Sequence, residues 1–274
     1  MIYSHPFNTF VMKLSAPLTL SLHQIYLWPK FSTPLARYGS QHDGGYLLPP
    51  YIRPHLRMVV SFGINVNWSF ESSLLKNLSI PLAAYDINDI PFVISRYFFA
   101  GVYKFFFKSL SLKDFFARAL LLPHFFLFFR GSRSFHVKKI DNKVIEVLLQ
   151  ELPLNTLLKC DIEGSEYSIL DQIIFYRAKF AALIFEFHDC VANHTKLKAF
   201  IGALSDSHSI VHLHVNNYES PTDDKLLKLV ELTICRNDLL ENIIDPPCFL
   251  PIDGLDSPTI PSLPDILLTK PQNG

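Results

Sequence analysis

The sequence predicts an α/β fold, an open and mostly parallel sheet doubly wound by helices on its two faces. Three observations carry that expectation. From Met58 onward, short apolar runs alternate with amphipathic ones, the rhythm of strand–helix units. The strand runs, "MVVSF" and "AALIFEF" among them, are almost continuously apolar, as strands covered on both faces must be. Strand after strand then stops on glycine, acids, histidine or asparagine, and in such sheets ligands bind beyond the carboxyl ends of the strands.

The elements follow in order. "MVVSFGI" reads as a strand ending in a glycine turn, and "SFESSLLKNL" as a helix with Phe70, Leu74, Leu75 and Leu78 on one face. "IPLAAYDIND" is a second strand ending in acids, and "DNKVIEVLLQEL" a helix turning Val144, Val147, Leu148 and Leu152 inward. "TLLKCDIEG" is a strand and "EYSILDQII" the helix after it. "AALIFEFHD" and "HTKLKAFIGALSD" repeat the unit. "SIVHLHVNN" and "LKLVELTICRND" close the series as strands with no helix between them, so one is expected to run antiparallel.

Composition bounds the rest. A chain of 274 residues, 49% hydrophobic, fits one large domain or a domain with an insertion. Net charge is zero, so no global field draws nucleic acid, and none is expected as a partner. Cys160, Cys190, Cys235 and Cys248 form no CxxC pair and read as reduced structural thiols. Residues 1–36 form an apolar extension without a basic leader, interrupted by Lys13, Pro17 and His23. A secretory signal is therefore not expected. The sequons at Asn67, Asn77 and Asn193 read as chance matches, and the expected location is cytoplasmic.

One segment breaks the pattern. Residues 91–136 hold about half of the phenylalanines, with Arg96, Lys104, Lys108, Lys113, Arg118, Arg130 and Arg133 against Asp114 alone. Basic heads among aromatics suit a helix lying on an anionic membrane surface. The apolar runs fall short of the roughly 18 to 20 residues that a span requires. The other reading is an inserted helical pair that covers the sheet edge or makes a dimer contact.

Each strand end is a candidate for chemistry. At "SFGIN", Gly63 lets a backbone approach a ligand at a helix start. Asp86 follows it by about 23 residues, close to the usual distance to an acid that holds ribose hydroxyls; a solvated turn explains it equally. In "LLKCDIEGSEYSIL", Glu163 and Glu166 suit the first turn of a helix. Asp161 belongs to the strand, and an unpaired core carboxylate is costly, which points it at a cleft. Glu186 with His188, and His212 with His214, share strand faces, and Asn216 and Asn217 end the latter strand.

"RYGSQHDGGYLLP", "VVSFGINVNWSFE", "AAYDIND", "LLKCDIEGSEYSIL", "LIFEFHD", "VHLHVNNY", "VELTICRND" and "LDSPTIPSLPDI" stand in an order that resembles the FkbM-type methyltransferases. The resemblance runs from about Arg37 to Ile266, interrupted by the Phe-rich segment, and departs from the family at "INVNW". It implies a Rossmann-like class I methyltransferase domain over 37–274 that binds S-adenosylmethionine and methylates a hydroxyl of a sugar, lipid-linked glycan or secondary metabolite. By matching motif it implies that Ser61, Phe62, Gly63 and Asn65 face the methionine part of the donor. Asp86 would hold the ribose, Tyr85 and Ile87 would flank the adenine, and Asp161 would sit near the donor amine or the reacting centre. Asp43, Tyr46, Glu186, Asn216 and Asn217 are the expected acceptor contacts.

An alcohol must lose a proton to be methylated. His188 is the expected base, since an ordinary histidine is neutral near pH 7, with His214 next and Asp161 beside them. A divalent ion held by Asp161, Glu186, Asn216 and a histidine is the less favoured route. Two rivals remain. One is a non-catalytic, membrane-associated or binding protein on the same fold. The other is a nicotinamide enzyme, opposed by the missing GxGxxG.

Overall fold

The computed structural model describes residues 17–106 and 111–270. The first half of the apolar extension and Lys108 lie outside them. The main sheet comprises β1 (Met58–Phe62), β2 (Leu82–Asp86), β3 (Arg133–Val137), β4 (Thr156–Cys160), β5 (Phe180–Phe187), β6 (His208–Val215) and β7 (Val230–Arg236). Their spatial order is β3-β2-β1-β4-β5-β7-β6. All neighbouring pairs are parallel except those of β7, which runs antiparallel to both β5 and β6. The expected antiparallel strand is thus the last one in sequence, inserted between its predecessors.

Apolar residues continue along the strands because alternate side chains serve two cores. Val60, Phe62, Leu158, Leu183 and Phe185 point to one face, where α4 (Asn142–Glu151), α5 (Leu170–Phe175) and α6 (His194–Leu204) bring Ile145, Leu149, Ile173, Leu197 and Phe200. Val59, Ala84, Leu157 and Ile184 point to the other. There α1 (Ser69–Leu74), α2 (Ile90–Phe106) and α3 (Leu112–Phe128) bring Phe70, Leu74, Ile90, Ile94, Phe125 and Phe128. On α4 the inward positions are Ile145 and Leu149, and Val147 is exposed. Of the expected stripe, Leu152 is buried and Val144 and Leu148 pack against the core, while Val147 misses it because Ile145 and Leu149 centre the inward face. Leu78 is only half-buried, because α1 ends before reaching it.

The Phe-rich segment is more than an inserted helical pair. Its last residues form β3, the parallel edge strand, with Leu82 beside Arg133 and Asp86 beside Val137. "RSFHV" lacks the apolar continuity of the inner strands because an edge strand is half-exposed. α2 and α3 pack on each other through Phe98 and Phe105 against Phe115, at ring distances of 5.9 and 4.8 Å. Ser111 caps α3, accepting from the Asp114 amide at 3.1 Å. Among the described residues no helix is long and apolar enough to cross a membrane.

A hairpin, Ala36–Gly39 with Gly45–Leu48, lies over the second face, where the Leu47 carbonyl accepts from Thr233 Oγ1 at 2.7 Å. This hairpin carries the "DGGY" element and brings the Tyr46 ring centre to 5.7 Å from Lys159 Nζ on β4.

Candidate functional site

The carboxyl ends of β1, β2 and β4 enclose a cavity of about 200 Å³ whose lining includes Gly63, Asn65, Tyr85, Asp86, Ile87 and Asp161. The turns that build it hold one another. Asp86, 6% exposed, accepts from the Asn65 amide at 2.9 Å through Oδ2 and from the Asn88 amide at 2.8 Å through Oδ1. Each of its oxygens therefore keeps lone-pair capacity for a further donor. The Tyr85 ring stacks on His136 at 4.8 Å, and Ile87 stands exposed at the rim. Lys138 and Lys139 complete that side.

Gly63 has φ of +72°, and a Cβ there would lie 1.6 Å from the Asp161 carbonyl oxygen. Glycine is required here by the neighbouring chain rather than by a ligand: it lets the β1 and β4 turns touch. The Gly63 carbonyl in turn accepts from Lys159 Nζ at 2.8 Å. Ser61 and Phe62, expected to contact a donor, do not line the cavity. Both are fully buried; Phe62 packs in the core, and the Ser61 hydroxyl has no hydrogen-bond partner among the described residues.

The β5 side is built from charge. Asp161 lies 3.7 Å from Lys159 Nζ, a buried cation whose ammonium also stands 5.7 Å from the Tyr46 ring centre. Burial opposes the Lys159 charge, but Asp161, Glu71 and Glu186 more than offset it, and its pKa is raised. Burial lifts the Asp161 carboxyl above its ordinary range against the pull of Lys159 and His188. Burial, then Asp161 and Glu231, lift Glu186 further. Glu186 is 7% exposed and takes a hydrogen bond from Asn216 Nδ2 at 2.9 Å on Oε1.

His188 sits among carboxylates: Nδ1 is 3.1 Å from Glu166 Oε1, and Nε2 is 3.4 Å from Glu163 and 3.9 Å from Glu186. Burial disfavours its charge, yet the Glu166 hydrogen bond and the surrounding acids push its pKa to about 9. In the protein alone this direction runs against the expectation of a neutral His188 base. His214 is corrected more fully. It is buried between Glu231 at 3.2 Å and Asp265 at 3.2 Å, with both ring nitrogens engaged and its pKa well above the ordinary value. Its register explains this: Glu231 pairs with Glu186 on one side and His214 on the other, and a cation there relieves the facing acids.

Glu166 stands in the first turn of a short helix, as expected, but not in solvent. It is fully buried, and its Oε1 also accepts from the Ile162 and Gly164 amides at 3.0 and 3.1 Å. Glu163 carries φ of +54°, in the left-handed region that glutamate seldom adopts. Asn217, an expected acceptor contact, is committed elsewhere. Its amide nitrogen donates to the Ile260, Leu263 and Pro264 carbonyls, and its oxygen accepts from the Ile260 amide. Asp43 is exposed on the hairpin turn, and Tyr46 is buried against Phe70.

Sequence reasoning passed over Lys159 and Glu71. Glu71 is 1% exposed, and neither carboxylate oxygen has a hydrogen-bond partner among the described residues. The signals existed: a lysine inside the apolar run "LLKC", and a glutamate between Phe70 and Leu74 on an inward helical face. Lys138 and Lys139 follow β3, an unpredicted strand, and so were not visible as cavity residues.

No family model matches the chain, and no curated protein matches it. Solved structures that resemble it include an rRNA methylase from Streptococcus thermophilus, 11% identical, covering 68% of this chain and 92% of its own, with a TM-score of 0.38. The 23S rRNA methyltransferase ErmE is 12% identical over 70% of this chain and 68% of its own, at 0.37. The plantazolicin methyltransferase BamL, in complex with a triazolic desmethylPZN analog and SAH, is 9% identical over 68% of this chain and 80% of its own, at 0.33. Likeness at this level bears on neither activity nor acceptor. It gives no support to the expectation that nucleic acid is not a partner.

Proposed function

We propose that this chain is an S-adenosylmethionine-dependent O-methyltransferase acting on a hydroxyl of a sugar, lipid-linked glycan or secondary metabolite. The observation that carries the reading is the convergence of Asp86, Asp161 and the Gly63 turn on one cavity at the switch of strand order between β1 and β4. The cavity is smaller than the roughly 300 Å³ at which pockets begin to enclose drug-sized ligands. It fits a nucleoside inside, with the rest of the donor along the rim toward Asp161. Asp86 has an acceptor site left on each oxygen for a cis-diol, and Tyr85 and Ile87 offer apolar surface on either side of that acid.

The donor, when bound, supplies a methyl group already activated on a sulfonium. What remains for the protein is alignment, which can contribute about 7 to 11 kcal/mol, and removal of the acceptor's proton. Asp161 faces the cavity, receives no hydrogen bond among the described residues, and is pushed up in pKa by burial. It is the group here best placed to take that proton. His188, whose Nδ1 meets the Glu166 carboxylate at 3.1 Å, orients the acids instead. Titration calorimetry with S-adenosylmethionine tests the reading: Asp86→Ala abolishes binding, and undiminished affinity in that variant refutes the ribose assignment.

The α2–α3 pair adds a location. Phe92, Phe99, Tyr103, Phe116 and Phe126 are exposed there beside Arg96, Lys113 and Arg118. Exposed aromatic edges with cationic heads match an anionic bilayer surface, and we infer a peripheral membrane contact that presents the site to a lipid-linked acceptor.

A further inference from the structure

The proton problem has a second half. Asp161, Glu186 and His188 come from the ends of adjacent strands β4 and β5, and one ligand atom from each lies within 4.8 Å of the others. Crowded acids alone do not make a cation site. What sets this group apart is how its members are oriented from behind.

His188 is aimed. Its Nδ1 faces the fully buried Glu166 carboxylate at 3.1 Å. A carboxylate has only acceptors, so Nδ1 carries the hydrogen, and Nε2 is the nitrogen left toward Glu186 and Asp161. Glu166 is itself pinned by the Ile162 and Gly164 amides. This carboxylate–imidazole pairing is the support that metal-bound histidines ordinarily have. Glu186 is supported too: Asn216 donates to Oε1, while Oε2 accepts no hydrogen bond among the described residues. It is a carboxylate more than nine-tenths buried, whose Oε1 also stands 3.9 Å from His188 Nε2 and whose Oε2 is unspent. Glu163, strained at φ of +54°, brings a further carboxylate oxygen to 3.4 Å from His188 Nε2.

We propose that Asp161, Glu186 and His188 form a divalent-cation site, braced by Glu166 and Asn216, at the acceptor side of the cavity. Two hard carboxylates with one imidazole and open positions suit Mn²⁺, with Mg²⁺ next. Ligands at about 2.1 Å from a cation stand about 3 to 4 Å apart, so the cluster contracts by about 1 Å on loading. The inference deepens the methyltransferase reading and rests on it only for the role: a hydroxyl bound to the cation is acidified, its proton passing to the Asp161 oxygen that is not on the metal.

The test is Mn²⁺ binding to the chelator-stripped full chain, read by loss of the free-ion paramagnetic resonance signal, with S-adenosylmethionine binding measured in parallel. One Mn²⁺ per chain is expected. Glu186→Gln and His188→Gln each weaken it at least 10-fold, Glu166→Gln weakens it by about 10- to 100-fold, and exposed Asp223→Asn leaves it unchanged. Circular dichroism melts confirm that each variant is folded. Failure of the wild type to bind Mn²⁺ or Mg²⁺ at millimolar concentration overturns the site, as does binding indifferent to all three cluster variants. Donor binding without a cation overturns only the metal; a cation without donor binding overturns only the methyltransferase reading.

Discussion

The turns that line the cavity and the charged groups behind its β4–β5 side are built by opposite means. On the β1–β2 side, turns do the work. Gly63 touches the Asp161 backbone, Asp86 ties down the Asn65 and Asn88 amides, and among the described residues no buried ion pair is involved. On the β4–β5 side, charges do it: Lys159, Glu186 and, from α1, Glu71 are buried, Asp161 and His188 are half-buried beside them, and of these Asp161 lines the cavity. The lesson is that a wall made of turns is rigid by local geometry, whereas a wall made of ions is rigid only while every charge has its counter-charge.

The largest expected effect falls on the ionic wall. Lys159→Met removes the cation shared by Asp161, Glu71 and Glu186 and should destabilise the fold by about 3 to 5 kcal/mol, measured by urea unfolding. A loss under about 1 kcal/mol would mean the acids do not depend on it. Gly63→Ala strikes the turn wall, where the new methyl meets the Asp161 carbonyl. It should cost about 2 to 4 kcal/mol and close the cavity, so donor binding disappears in calorimetry even where the variant stays folded.

Asp86→Asn sharpens the contrast, because it should leave the ionic wall intact. Donor affinity should drop about 100-fold, close to 3 kcal/mol, with the melting temperature moving little. The pH response separates the walls next. His188 has a folded pKa of about 9 against an ordinary 6.5, so its contribution to stability is complete below about 6.5 and lost as pH rises through about 9. The melting temperature should therefore fall across that window in wild type and fall less in His188→Gln. The smallest effect on the site belongs to Phe99→Asp on α2. Stability and donor affinity hold, while co-sedimentation with anionic vesicles declines; unchanged pelleting would remove the membrane contact.

The same contrast explains what was legible in the sequence. The sheet, its order of units and the antiparallel strand could be read because inner strands announce themselves as apolar runs. β3 could not, because "RSFHV" at the edge has no such run. The turn wall was legible because the Gly63-to-Asp86 spacing is fixed by one strand–helix–strand unit. The ionic wall was not: the state of His188 depends on Glu163, Glu166 and Glu186, which only the fold assembles. Asn217 looked like an acceptor contact until the 260–264 segment was seen to consume its amide.

A structure of the chain with S-adenosylhomocysteine tests the central claim most directly. The account predicts the ribose hydroxyls on the Asp86 carboxylate and the amino-acid end passing over the Gly63 turn toward Asp161. A nucleoside lodged anywhere else, with Asp86 still bonded only to the Asn65 and Asn88 amides, would contradict it.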